Sequence, residues 1–293
     1  MANGIVERIQ LELRAFRVMA RYTFSSALVK EWYILALPFE IVNLAIGLLT
    51  WYYFGLMFGV ENVPLLRQYG GSFLSYLLLG VAANSVFTYA LSSFVMAVSD
   101  AYAATIVMGA TRLNWIDYLR LLGIPLWRWM YVRVVLGFIP SLINLAAYVV
   151  FGAFFLGFTL PPSADVTGSL ASLTLGVIGL VGISLIGAGF LLYTRILYAR
   201  DPVTWMVGLL SSIVAGIYFP PEILPEWLRT TSTLLPQTYA LRVARLCLLA
   251  GRPLLGQLRD LCALSLLAAA YLALGVAAFR RGLRAYEEKG PLF

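Results

Sequence analysis

The chain has 293 residues, of which 61% are hydrophobic and only 12% are charged, whereas a soluble domain carries about 25% charged residues. It has no histidine and two cysteines, Cys247 and Cys262, whose spacing fits neither a metal motif nor a disulfide framework. The composition predicts an integral membrane protein without a metal site, in which both cysteines act as small apolar side chains.

The first segment, residues 1–32, is predicted to form an amphipathic helix. Apolar side chains recur on one helical face from Ile5 to Ala20, and Arg14, Arg17 and Arg21 lie on an adjacent face. Such a helix lies in the membrane interface, where its basic residues meet lipid phosphates. A cytosolic helix docked on protein is the alternative.

Six apolar segments follow within residues 33–279, and their length and purity predict six transmembrane helices. They are approximately Tyr33–Phe58, Ser72–Val98, Val134–Phe158, Gly168–Tyr193, Val203–Phe219 and Leu261–Phe279. Glu40 is the one ionisable residue within them, and Asn43 follows it by three positions. Because ionisable residues are costly in a membrane, we interpret Glu40 and Asn43 as candidates for a transport pathway. Asn84 and Asn144 are interpreted as helix–helix hydrogen-bonding residues.

The basic residues predict that both termini are cytoplasmic. With the N-terminus inside, most of the 21 lysines and arginines fall in inner segments, including the tail 280–293. The net charge of +7 is therefore attributed to membrane orientation, and nucleic acid is not expected as a partner. A seventh span over Leu234–Ala250 would bury Arg242 and Arg245 and place the basic C-terminus outside, so we reject it.

The loop between the second and third segments, Ser99–Arg133, carries aromatic and charged residues on the predicted cytoplasmic side. A short helix with exposed aromatic side chains is suited to docking into a groove on a partner. Four residues are expected near that contact: Trp115, Asp117, Tyr118 and Arg120. Three others are interpreted as an aromatic belt at the membrane interface: Trp127, Trp129 and Tyr131.

The fifth segment has a predicted start and a predicted break. Asp201 before Pro202 indicates a helix cap followed by proline at the first helical position. At the other end, Pro220 and Pro221 interrupt the helix because proline lacks a backbone donor and clashes with the preceding turn.

Two short segments follow the break, beginning near Pro225 and Pro236, and each is too short to cross a bilayer, which needs ~20 residues. We predict that Glu222–Ala250 forms a re-entrant helix pair dipping into the outer leaflet; an interfacial pair that caps the bundle is the alternative. Arg242 and Arg245 are expected to point to outer water or lipid phosphates. Four residues at the break are candidates for a gate: Tyr218, Phe219, Pro220 and Pro221.

Catalytic and nucleotide-binding motifs are missing from the sequence. It has no Gly-x-x-x-x-Gly-Lys-Ser/Thr pattern and no nucleophile elbow. This favours transport over a membrane-embedded enzyme. A secondary carrier usually places several ionisable residues at mid-membrane and shows inverted repeats, neither of which the sequence displays.

The motif around the break resembles the signature of the ABC-2-type permeases of ATP-driven exporters. It reads Gly216-x-Tyr-Phe-Pro-x-x-x-Leu-Pro-x-Trp-Leu, followed by Leu235-Pro-x-Thr-Tyr-Ala-Leu-x-x-x-Arg245. The run Arg200-Asp201-Pro202, the amphipathic N-terminus and six spans with a long loop after the second extend the resemblance over residues 1–293. Where the family often has Gly-Thr-Leu-Glu in that loop, this chain has Gly109-Ala-Thr-Arg-Leu-Asn-Trp.

The resemblance implies a permease subunit in the cell membrane that pairs with a second permease copy, identical or not. It implies two copies of a separate ATPase subunit, which would bind ATP and magnesium, whereas this chain needs no cofactor. The loop Ser99–Arg133 would couple the subunits, and the re-entrant pair would close the outer end. An amphipathic or lipid-like substrate (drug, lipid or lipid-linked glycan) is expected; an ion-exporting permease or a secondary active transporter is the alternative.

Overall fold

A computed structural model describes residues 37–57, 64–103, 105–108, 111–114, 125–195 and 201–289, together with residues 59, 121 and 123. The described chain is helical apart from one hairpin, in which β1 (Thr105–Met108) pairs antiparallel with β2 (Thr111–Asn114). The predicted helical class is therefore confirmed. The amphipathic helix predicted for residues 1–32 lies outside the described residues.

Eight α-helices make up most of the described chain. They are α1 (Leu37–Met57), α2 (Phe73–Ala103), α3 (Leu126–Phe155), α4 (Val166–Thr194), α5 (Pro202–Val214), α6 (Glu226–Ser232), α7 (Pro236–Leu248) and α8 (Leu258–Lys289). Within the described ranges, four of them, α2, α3, α4 and α8, are long and apolar enough to cross a membrane. Helices α1 and α5 occupy the first and fifth predicted spans, and the six-span arrangement stays a prediction.

Helix α4 lies at the centre and packs against α2, α7 and α8. Its contact with α8 is a close approach of two backbones at paired glycines. A Cβ atom built on Gly275 would lie 2.2 Å from the carbonyl oxygen of Gly182, and one built on Gly282 would lie 2.3 Å from that of Gly189. Small residues allow membrane helices to pack at this distance, so these glycines determine how α8 is seated.

The connection between α2 and α3 begins with the β hairpin, and the short helix predicted in this loop falls mostly on residues outside the described ranges. Helix α2 continues to Ala103, the β1–β2 hairpin follows, and α3 begins at Leu126 directly after Pro125. The four predicted coupling residues, Trp115, Asp117, Tyr118 and Arg120, lie outside the described residues. Of the predicted aromatic belt, Trp127 and Tyr131 are exposed on the first turns of α3, as residues at a membrane interface would be.

Candidate functional site: the end of helix α5 and the cavity beside it

The start of α5 is fixed by Asp201, as predicted from the sequence. Its buried carboxylate accepts hydrogen bonds from the backbone N–H groups of Val203 (3.0 Å) and Thr204 (3.1 Å). Pro202 occupies the first helical position, where no N–H group is needed. The cap fixes the first turn of α5 and places the carboxylate of Asp201 beside the space between α2 and α5.

The end of α5 comes earlier than predicted. The helix ends at Val214 rather than Phe219, because Gly216 adopts a left-handed backbone conformation (φ +79°) ahead of the prolines. The two short helices, α6 and α7, begin directly after Pro225 and at Pro236, as predicted. Helix α7 has 13 residues, too few to cross a bilayer, which agrees with the rejection of a seventh span.

Arg245 contradicts the prediction that it points to water or lipid phosphates. It is 1% exposed, and its guanidinium donates to the backbone carbonyls of the break. Nη1 lies 2.5 Å from the oxygen of Gly216, and Nη2 lies 2.8 Å from that of Ile217. Nε donates to the oxygen of Tyr76 on α2 at 3.2 Å. The hydrogen bonds explain the difference, because they replace those that water would have made.

Arg242, three positions earlier on α7, follows the prediction more closely. Its side chain is 45% exposed and has acidic neighbours on both sides, Glu222 at 3.7 Å and Asp260 at 3.5 Å. The hydroxyl of Tyr69 donates to Glu222 at 3.4 Å. Burial, and next the charge of Glu222, raise the pKa of Tyr69 above its usual range, so the phenol stays protonated as a donor.

The four predicted gate residues are consecutive in the chain, and Tyr218 packs against α1. Tyr218 stacks on Trp51 of α1 with ring centroids 4.1 Å apart, and both Tyr218 and Phe219 are half-buried. Pro220 is buried, and Pro221 begins a short 3₁₀ turn, Pro221–Ile223. The break is therefore packed on one side by an aromatic side chain from α1. Whether it opens and closes as a gate stays a prediction.

A cavity of about 910 Å³ lies between α2 and α5, next to the break. From Asn84 to Asp100 its α2 wall extends about 24 Å at 1.5 Å per residue. The walls are mainly apolar with several hydroxyl groups: Phe87, Thr88, Leu91, Ser92, Val95, Met96, Ser99, Thr204, Trp205, Gly208, Leu209, Ser211 and Ser212. Its size lies within the range of ligand pockets, ~300–1,000 Å³.

The two ends of the cavity are polar. At the end beside the break, Ile217 and Gln237 close the wall; Gln237 is buried, and its Oε1 has no hydrogen-bond partner among the described residues. At the other end are Asp201 and Asp100, the latter paired with Arg133 at 2.9 Å. The lining therefore combines apolar walls with acidic and amide groups at its ends, which suits an amphipathic ligand.

Of the two sequence-predicted pathway residues, Asn43 is not among the described residues that line this cavity. Glu40 lies in α1, but its side chain lies outside the described residues; Asn43 is exposed on the same helix. Asn84 lines the cavity, and Oδ1 of Asn144 is buried without a hydrogen-bond partner in the described ranges, so no interhelical bond forms at that oxygen. The cavity is formed by the packing of α5 against α2. No local sequence pattern predicts that packing.

The buried role of Arg245 was also missed, although a signal for it exists. Arg245 stands among apolar residues of a short helix, Val243, Ala244, Leu246 and Cys247, all buried. An ionisable residue in such a setting usually has a specific partner within the protein.

Compared with models of protein families, the chain matches none, and no curated protein matches it significantly.

Proposed function

We propose that this chain is the permease subunit of an ATP-driven exporter and moves an amphipathic or lipid-like substrate outward. The cavity between α2 and α5 carries the proposal, because it joins apolar walls to polar ends and stops at the break in α5. The orphaned Oε1 of Gln237 offers a hydrogen-bond acceptor to a polar group of the substrate. The motif resembling the exporter permeases coincides with this break.

The energy source is the first point to test. The tagged full-length chain would be purified from its native membranes in mild detergent and assayed for hydrolysis of ATP in the presence of magnesium. We expect a co-purifying ATPase subunit and activity that an amphipathic substrate stimulates. A chain that purifies without ATP hydrolysis, yet moves substrate along an ion gradient in vesicles, would replace the proposal with a secondary carrier.

The cavity is tested by filling it. A Cβ atom on Gly208 would meet its nearest neighbour, Leu91, at 3.6 Å, so Gly208→Trp places an indole in the cavity without a backbone clash. Gly47→Trp is the matched control, because nothing lies within 4 Å of a Cβ atom on that α1 glycine. Gly208→Trp should lower transport of a fluorescent phospholipid or an amphipathic dye about tenfold, equivalent to ~1.4 kcal/mol. Equal transport by the two variants would contradict the cavity assignment.

A further inference from the structure

Three backbone carbonyl oxygens surround the guanidinium of Arg245. Two of them, on Gly216 and Ile217, belong to the break after α5, where no helical N–H group is in register to pair with them. The third belongs to Tyr76 on α2. Among the described residues, no carboxylate lies within ion-pair distance of Arg245. The positive charge is therefore held by carbonyl dipoles rather than by an opposite charge.

We propose that the break in α5 is a cation-binding site whose occupant is the chain's own Arg245. Carbonyls released where a membrane helix is broken can coordinate a free cation. Here the guanidinium of Arg245 occupies the position of a free cation, and its planar arrangement of N–H groups donates to all three carbonyl oxygens at once. Arg245 is thus a positioning residue for the break, whether or not an ATPase drives the chain.

Two residues of α2, Tyr76 and Gly80, accommodate the guanidinium of Arg245. The guanidinium lies over the ring of Tyr76 at 3.5 Å from the centroid, where the face of the ring attracts positive charge. The hydroxyl of Tyr76 also donates to the oxygen of Gly216 at 3.1 Å. Gly80 leaves the remaining space: a Cβ atom there would lie 2.1 Å from the oxygen of Ile217 and 2.2 Å from Nη2 of Arg245. Helix α2 therefore supplies the site with the ring and the hydroxyl of Tyr76, and Gly80 leaves room for the guanidinium because it has no side chain.

The arginine joins three elements, because it lies on α7 and bonds to α2 and to the break. Without it, three buried carbonyls would lose charged hydrogen bonds, and α7 would lose the hydrogen bonds that tie it to α2 and to the break. Cys247, two residues along α7, is fully buried in the intact structure. Its reactivity therefore reports separation of α7 from the core.

The experiment uses Cys247 as the reporter. Cys262→Ser leaves it as the one thiol of the full chain, reconstituted in lipid nanodiscs. In this background, Arg245→Ala should raise the rate of modification by N-ethylmaleimide about tenfold or more, as expected for the loss of charged hydrogen bonds. Guanidinium chloride at millimolar concentration should restore slow labelling, whereas tetramethylammonium chloride at the same concentration should not. Arg242→Ala, at the half-exposed neighbour, is the control and should label slowly.

Slow labelling of Arg245→Ala would overturn the proposal, as would equal protection by the two salts. Should Arg245→Ala not fold, two milder variants decide. Arg245→Lys keeps the positive charge but loses the planar guanidinium. Gly80→Ala keeps Arg245 but places a methyl group in the space that the guanidinium occupies. In both variants Cys247 should be labelled faster than in the wild type. Guanidinium should protect neither variant, because a side chain still occupies the site. Wild-type rates in both variants would equally overturn the proposal.

Discussion

At the scale of single residues, Asp165 ties the start of α4 to the chain that precedes α8. Its carboxylate accepts hydrogen bonds from the N–H of Gly168, the hydroxyl of Thr167 and the N–H of Leu254, at 2.8, 2.8 and 3.0 Å. These bonds, that of Gly168 first, hold the pKa of Asp165 below its usual value. The ionised carboxylate is therefore the form that stabilises the fold.

The sign of the pH dependence follows from that lowered pKa. The stabilisation by Asp165 is fully present above the pKa of the unfolded chain and is lost as the pH falls through the lower pKa of the folded one. Asp165→Asn should lower the melting temperature at neutral pH and lose less stability than the wild type on acidification. Thermal unfolding in nanodiscs between neutral and acidic pH measures both effects. Glu226→Gln, at an exposed carboxylate, is the control; parallel curves for Asp165→Asn and the wild type would contradict the assignment.

At the scale of elements, the α4–α8 contact gives the clearest prediction. Gly275→Ala and Gly282→Ala each place a methyl group against a backbone oxygen of α4, which cannot move aside as a side chain could. We expect each to destabilise the protein by ~1–3 kcal/mol, the usual cost of overpacking. Gly47→Ala is the control because its space is open, and it should not destabilise. Melting temperatures that match the control would mean that α8 does not pack against α4 at these glycines.

The elements also show what the sequence could predict. Local rules sufficed for the start of α5 at Asp201 and Pro202 and for the short helices after Pro225 and at Pro236, since caps and prolines act within a few residues. The end of α5 was misplaced because Gly216 breaks the helix before the prolines do. The environment of Arg245 escaped prediction because its partner on α2, Tyr76, is 169 residues away.

At the scale of the whole molecule, the placement of α6 and α7 determines on which side of the membrane the residues before and after them lie. If α6 and α7 form a re-entrant pair, Thr231→Cys and Arg252→Cys lie on the same outer side and should both react with an impermeant maleimide added outside. The measurement uses intact cells and the Cys262→Ser background, in which Cys247 is buried. Reaction of Arg252→Cys only from the cytoplasm would mean that the chain crosses the membrane between these positions.

The buried arginine also has a consequence for biosynthesis. Gly216 and Tyr76 precede Arg245 by 29 and 169 residues, so both reach the membrane first. At ~5–20 residues per second, Tyr76 is synthesised roughly 8–34 s before Arg245. A lone arginine at the membrane centre costs ~2.5–3.5 kcal/mol on insertion scales, but this one arrives where its carbonyl partners are already present. The order of the chain thus lets α7 follow α2 and the break in α5, whose carbonyl groups are already present when Arg245 arrives.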